Sequence, residues 1–308
     1  MTAAAEPSAR SWTIRSGSAE AVIGRMGAGV RSYRVDGELV VDELGEREVA
    51  GAYHGLVLAP WPNRVPDGRW TWEGEELQLA ITEPATGCAL HGLVAFSAWQ
   101  PREVTEDAVE LGIAVDPQPG YPFALDLAVR WSVGEGGLRC RLSAENTGTR
   151  TAPFGAATHP YLVLPGCGVD DLELTLPAAS WLETDDRLRP VGLHPVEGTD
   201  RDLRAGAPLR GRSLDTAFTD VTGTTARVAG GGRALEVWAD EAFGWWQVYT
   251  SDYFPADSPR YRRALAVEAM TCGPDAFNTG RDLLTLAPGE QWSAEWGCLL
   301  YTSPSPRD

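Results

Sequence analysis

The sequence predicts an all-β protein, built as one large single-domain antiparallel β-sandwich. Three observations predict it. Short segments alternate apolar and polar residues with the period of two that belongs to strands. Gly, Pro and Asp turn signals separate them, the chain carrying 34 Gly and 22 Pro in 308 residues. No long stretch keeps apolar residues at the i, i+3, i+4 and i+7 positions of a helix without a Gly or Pro inside it.

The segments follow in order. SWTIRS at 11–16 and AVIGRM at 21–26 alternate first. SYRV and ELVV flank Asp36-Gly37, a hairpin signal because both turn positions tolerate positive φ. RWTWEG at 69–74, AVELGIAV at 108–115 and FALDLAVRWSV at 123–133 come next. In the last of these Phe123, Leu125, Leu127 and Val129 share one face, opposite Ala124, Asp126, Ala128 and Arg130. LRCRLSAEN, DLELTL, ALEVWAD, WWQVYTS and ALAVEAM complete the series, and QWSAEW at 291–296 reads as a last strand. No composition break marks a linker, so residues 1–297 are expected to be one domain.

Residues 298–308, CLLYTSPSPRD, look like the translation of a transposase-type sequencing adaptor. They are expected to be a non-native tail, and the natural end of the last strand to be missing. Burial and pairing of this segment in a sheet would overturn that expectation, as would genomic DNA that encodes it.

Composition excludes several functions. The 43 acidic against 26 basic residues leave a formal charge of −17. That charge repels phosphate backbones and anionic membrane surfaces, so neither nucleic acid nor membrane is an expected partner. The chain has no lysine. A P-loop lysine, a Schiff-base lysine and a lysine-anchored pyridoxal site are thereby excluded. Five scattered cysteines, Cys88, Cys140, Cys167, Cys272 and Cys298, form no CxxC pair and suggest neither zinc nor a disulfide framework. The N-terminal residues contain no apolar signal region, and no apolar run approaches a membrane span. A soluble cytoplasmic protein is expected, with no metal and no cofactor.

Few residues can carry acid–base chemistry, since there are four histidines. His159 lies in ATHPYLVLPG, where the following proline pushes it to extended geometry. Thr158 and Tyr161 beside it could bond a polar ligand; otherwise His159 is a structural turn residue. Glu268 ends a largely apolar approach in ALAVEAM. A carboxyl group inside such a strand has a raised pKa unless it is paired, which suits a general acid or base, although an exposed strand-end carboxylate fits the residues equally. Asn63 and Arg64 lie in the proline-stiffened loop APWPNRVPDG and could present donors to a hydroxylated ligand, or form an ordinary turn. His91, Asp215 and Gln247 are further candidates, their alternatives being a core histidine, a turn cap and a solvent-facing strand residue. Twelve Trp could line a sugar site, but most are expected in the core.

Taken together, six segments resemble the aldose 1-epimerase (galactose mutarotase) family. They are PWPNRVPDGRW, ALHGLVAFSAW, HPYLVLPG, LDTAFTDV, WWQVYT and VEAMTCGPDAFNTG, in the family's order between about Ala52 and Glu295. The resemblance implies the galactose mutarotase-like supersandwich and cofactor-free interconversion of sugar anomers. It implies Glu268 as catalytic base and His159 as catalytic acid, with Asn63, Arg64, His91, Asp215 and Gln247 holding sugar hydroxyls. His159 and Glu268 are then expected to face one open cleft, their polar atoms a sugar-ring width apart. One departure stands out: Ala269 replaces the family's proline after the base, removing a stiffening element beside Glu268. The expected partner is a small-molecule sugar, and the expected assembly a monomer or homodimer. Three rivals share the same residues. A non-catalytic sugar-binding or sensing protein would keep the pocket. A glycoside hydrolase or lyase would use Asp215 with Glu268. A hexose-6-phosphate epimerase would need several Arg at one pocket edge, and a sulfonated sugar is a further anionic substrate.

Overall fold

Along the strand Leu125–Gly134, residues alternate strictly between buried and half-buried. Leu125, Leu127 and Val129 point inward and Asp126, Ala128 and Arg130 outward, as the period of two requires. This pattern comes from a computed structural model that describes residues 10–45, 48–252 and 254–301. Ala108–Val115 and Gly137–Asn146 pair antiparallel on its two sides. Gln291–Tyr301 and Arg233–Ala239 extend the array, which reaches nine strands.

A twelve-stranded sheet faces it. That sheet begins with Ser11–Ser16 and Ala19–Gly24, then Val30–Val35 and Glu38–Val41. Asp36 and Gly37 join the latter two with φ of 51° and 79°, the expected tight turn. Next across the sheet come Tyr161–Leu162, Leu265–Met270, Trp245–Tyr249, Asp215–Val221 and Ala178–Thr184.

One apolar core fills the space between the sheets. It joins Ile14, Ile23, Trp246, Val248, Leu265 and Val267 of the large sheet to Leu127, Val129, Trp131 and Trp296 of the other. Trp131 donates its indole N–H to the Ala28 carbonyl at 2.8 Å, so even its polar atom is satisfied across the sandwich. Most Trp are core residues, as expected. Regular helix among the described residues amounts to Ala276–Thr279 and two short 3₁₀ turns. No helix among them is long and apolar enough to cross a membrane.

Two expectations meet the structure differently. The last strand runs to Tyr301, four residues past the boundary expected at 297. Cys298 lies between Leu138 and Val237, fully buried. Cys298 and Leu300 supply the inward apolar positions, and backbone pairing asks nothing more of the sequence. Residues 298–301 continue the ladder of the last strand. Residues 302–308 lie outside the described residues. Ala269, in place of proline, pairs with Trp246, and the ladder continues through Met270. Glu268 therefore sits inside a paired strand and not at a loosened end.

Candidate active site

Strand register brings the polar residues together. Within Leu265–Met270, Leu265, Val267 and Ala269 join the core, while Ala266, Glu268 and Met270 face the other side of the sheet. Gln247 pairs directly with Glu268, and Asp215 with Tyr249 on the next strand out. All four side chains therefore project from the same outer face. On the other flank, Ala157 pairs with Met270 and Tyr161 with Ala266, so His159 falls opposite Glu268. The ladder is broken there because Pro160 has no N–H to give. The backbone of His159 bonds instead to the neighbouring loop: its N–H donates to Leu56 at 3.0 Å, and its carbonyl accepts from Gly55 at 2.8 Å.

Asn63 and His91 come from two loops tied by the short pair Arg64–Pro66 and Cys88–Leu90. Both have left-handed backbones, with φ of 56° and 59°. The Asn63 backbone N–H donates to His91 Nδ1 at 3.0 Å. That bond leaves the neutral ring's proton on Nε2.

Asn63, Arg64, His91, His159, Asp215, Gln247 and Glu268 all line one cleft of about 400 Å³. This is the scale of a small-molecule site. A chain of hydrogen bonds links most of them. Asn63 Nδ2 donates to Gln247 Oε1 at 3.3 Å, and Gln247 Nε2 donates to Asp215. Arg64 grips Glu83 with two bonds of 2.7 and 2.9 Å and reaches Asp215 at 3.8 Å. Burial pulls Arg64 down, but Glu83 and Asp215 outweigh it and hold the guanidinium above its ordinary pKa. Burial likewise raises Glu83, and its bonds to Arg64 more than reverse this. Asp215 is pushed up by burial, against the opposing charge of Arg64.

His159 Nε2 lies 3.4 Å from Glu268 Oε1. The sequence reading expected a sugar-ring width between them; the register sets them directly opposite and so brings them into contact. Burial, reinforced by Asp215, pushes Glu268 well above the usual carboxylate range. Burial, reinforced by the nearby His54, lowers His159 to about 3. The separation would suit an ion pair, but desolvation opposes charge on each partner. Both directions favour the uncharged forms, so the pair holds one proton, resting on Glu268 and passing to His159 across the 3.4 Å contact when His159 acts as the acid. Glu268 Oε2 and His159 Nδ1 are buried and make no hydrogen bond to another residue among the described ones.

Sequence reasoning missed part of this cleft. Glu83, which clamps Arg64, lies in a turn with no periodic signal. Tyr53 and Tyr249 line the cleft with Tyr161, and no Trp is among the lining residues. Thr158 is buried and does not line it. Candidate hydrolase partners Asp215 and Glu268 share the cleft, but Asp215 is engaged by Gln247 and Arg64.

Comparisons with known proteins show the family and the fold. The aldose 1-epimerase family model matches residues 10–297. The uncharacterized protein YihR of Escherichia coli K12 is 33% identical over 282 residues, covering 90% of this chain and 89% of its own. Galactose mutarotase of Bos taurus is 30% identical over 281 residues, covering 82% and 80%. Among solved structures, a GalM/aldose epimerase homologue from C. elegans superposes with a TM-score of 0.83 at 18% identity, covering 95% of this chain and 99% of that one. Galactose 1-epimerase from Lactobacillus acidophilus NCFM gives 0.81 at 20% identity, covering 98% of each. The chain belongs to the aldose 1-epimerase family and is an isomerase.

Proposed function

We propose that this enzyme interconverts the α and β anomers of a free hexose or hexose derivative, with His159 as acid and Glu268 as base. The observation that carries this reading is the buried 3.4 Å contact of His159 and Glu268 in a cleft rimmed by polar side chains. Mutarotation removes a proton from the C1 hydroxyl and delivers one to the ring oxygen. The C1–O5 bond breaks and an open-chain aldehyde forms. Rotation about C1–C2 turns the other carbonyl face to the 5-hydroxyl, and the ring closes with both proton transfers reversed. A carboxylate and an imidazolium accomplish this with no net change in protons. Asn63, Arg64, His91, Asp215 and Gln247 hold the remaining hydroxyls and keep the open chain in place.

A neutral sugar is favoured. Among the described residues Arg64 alone of the arginines lines the cleft, and it is already bound to Glu83 and Asp215. A phosphorylated or sulfonated hexose would meet no uncommitted cation there. A non-catalytic sugar binder has no use for a buried carboxyl oxygen without a partner, which costs stability. The five free thiols suit a reducing compartment, and we place the enzyme in the cytoplasm as a monomer or homodimer.

Polarimetry or exchange NMR from fresh α-D-glucose and α-D-galactose tests the reading. Wild type should accelerate anomer interconversion, and Glu268→Gln should lose about 10²–10⁴-fold of it. Sugar binding without acceleration of neutral, phosphorylated or sulfonated hexoses would make the protein a binder.

A further inference from the structure

We infer that His54, acting through Tyr161, is a positioning residue for His159. The inference rests on the catalytic reading of His159 and extends it to a residue outside the cleft.

Catalytic imidazoles are commonly oriented by a hydrogen bond on the nitrogen that does not react. In His159, Nε2 faces Glu268, and Nδ1 is buried with no bond to another described residue and only its own backbone beside it. Contacts from other residues reach it through ring faces and edges. Tyr161 stacks flat on His159, with centroids 4.9 Å apart and planes 12° apart. His54 in turn stacks on Tyr161 at 4.7 Å and 20°. His159 also meets His91 edge-on at 5.6 Å. The reacting imidazole is thus the last ring of a three-ring column, steadied by an edge contact.

The column is anchored away from the chemistry. Tyr161 donates its hydroxyl to the Ala52 carbonyl at 3.0 Å, and its own carbonyl accepts from Asp42 N–H at 2.8 Å. His54 is 3% exposed and donates Nε2–H to the Asp42 carbonyl at 3.0 Å. Burial holds the His54 ring, the bond adds to this, and the flat face of the ring fixes the plane of Tyr161. An aliphatic side chain would fill the volume but would not define a plane. Tyr161 lines the cleft and can touch substrate, whereas His54 does not line it. His54 is therefore the residue whose substitution isolates positioning from binding.

The test compares kcat, KM and melting temperature for wild type, His54→Phe, His54→Leu and His54→Gln. Phe keeps a flat ring without the bond to Asp42. Gln keeps a donor without the ring, and serves where Leu does not fold. Loss of the ring should lower kcat about tenfold or more with KM within about twofold, since a misplacement near 1 Å costs up to ~10²-fold. His54→Phe should recover most of the loss. NMR shifts of the His159 ring protons, which sense the stacked Tyr161, should move in Leu and Gln and stay near wild type in Phe. Folded Leu or Gln variants with wild-type kcat and unmoved His159 shifts would overturn the inference, as would a Phe variant as impaired as Leu. A wild type that accelerates no hexose would defeat the catalytic reading instead, while the His159 shifts would still report the column.

Discussion

His159 stands opposite Glu268 across an antiparallel register that is interrupted at Pro160, and their polar atoms meet at 3.4 Å. This closeness suits the chemistry. The two oxygens that exchange protons in mutarotation are bonded to the same carbon, so acid and base must be neighbours and need not span a ring. A one-proton pair also predicts a bell-shaped pH dependence. Activity should fall on the acid side when both groups are protonated, and on the alkaline side when neither is. Measurement of kcat/KM against pH checks this. In Glu268→Gln the residual rate should lose the bell, and a profile of unchanged shape would contradict the pairing.

Stability should respond to pH through the other buried imidazoles. Burial raises Glu268 from 4.5, so its contribution is present below that value and is lost as pH rises through the raised one. Burial lowers His159 from 6.5 to about 3, so its contribution is present above 6.5 and is lost as pH falls toward 3. Folding leaves one proton on the pair, and near pH 5 the unfolded chain binds about as many on these two groups, so they largely cancel there. His54 and His91 do not cancel. Burial lowers both, acting on His54 against Asp42 and with Arg260 and Arg31, and on His91 with His159 and Arg64. Their contributions are lost as pH falls below 6.5. The melting temperature should therefore drop between pH 7 and pH 5, and His54→Phe should make that drop shallower. Equal slopes in the two proteins would show that His54 is not part of the acid lability.

Strand alternation made much of this legible. The face of Leu265–Met270 that carries Glu268 follows from its period of two, and the Asp36-Gly37 turn from its residue types. All seven candidate residues came from the motifs and their resemblance, and all line one cleft. What stayed hidden depends on long-range register. No local pattern says that residue 159 lies opposite residue 268, or that Glu83 folds back on Arg64. The His54 column joins a loop to a strand over 100 residues away, and its geometry exists only after the sheet has formed. Tryptophan abundance suggested an aromatic sugar platform, but these large rings fill the space between the sheets and the cleft takes tyrosines instead.

Glu83 should set both the pose and the charge of Arg64. The guanidinium is bound in a two-bond fork and is largely buried, so its orientation toward the cleft depends on that carboxylate. Glu83→Ala should raise KM for a neutral hexose by about tenfold while changing kcat less, the mark of lost ground-state and transition-state binding alike. It should also lower stability by about 2 kcal/mol, a figure tempered by the partial exposure of Glu83 and by the remaining Asp215. The same change frees positive charge, so calorimetry should detect weak binding of hexose 6-phosphate that wild type lacks. Tight binding of that ligand by wild type would instead favour the phosphorylated-substrate reading.

Gly92 should be indispensable to the placement of His91. It has a φ of 77°, follows His91, and forms a bridge with Ala59. A Cβ there would run into the Ala59 carbonyl oxygen, which is backbone and cannot swing aside. Gly92→Ala thus adds a steric clash to the cost of a left-handed backbone, together about 2 kcal/mol or more. The chain can relieve the clash only by moving the segment that holds His91 against Asn63. Denaturant unfolding should show the loss in midpoint with an unchanged slope. Steady-state kinetics on the still-folded variant should show a raised KM, because in the proposed function His91, which lines the cleft, holds a sugar hydroxyl through Nε2–H. A variant with wild-type KM would show that the His91 loop adapts and that the pose of this imidazole is not set by Gly92.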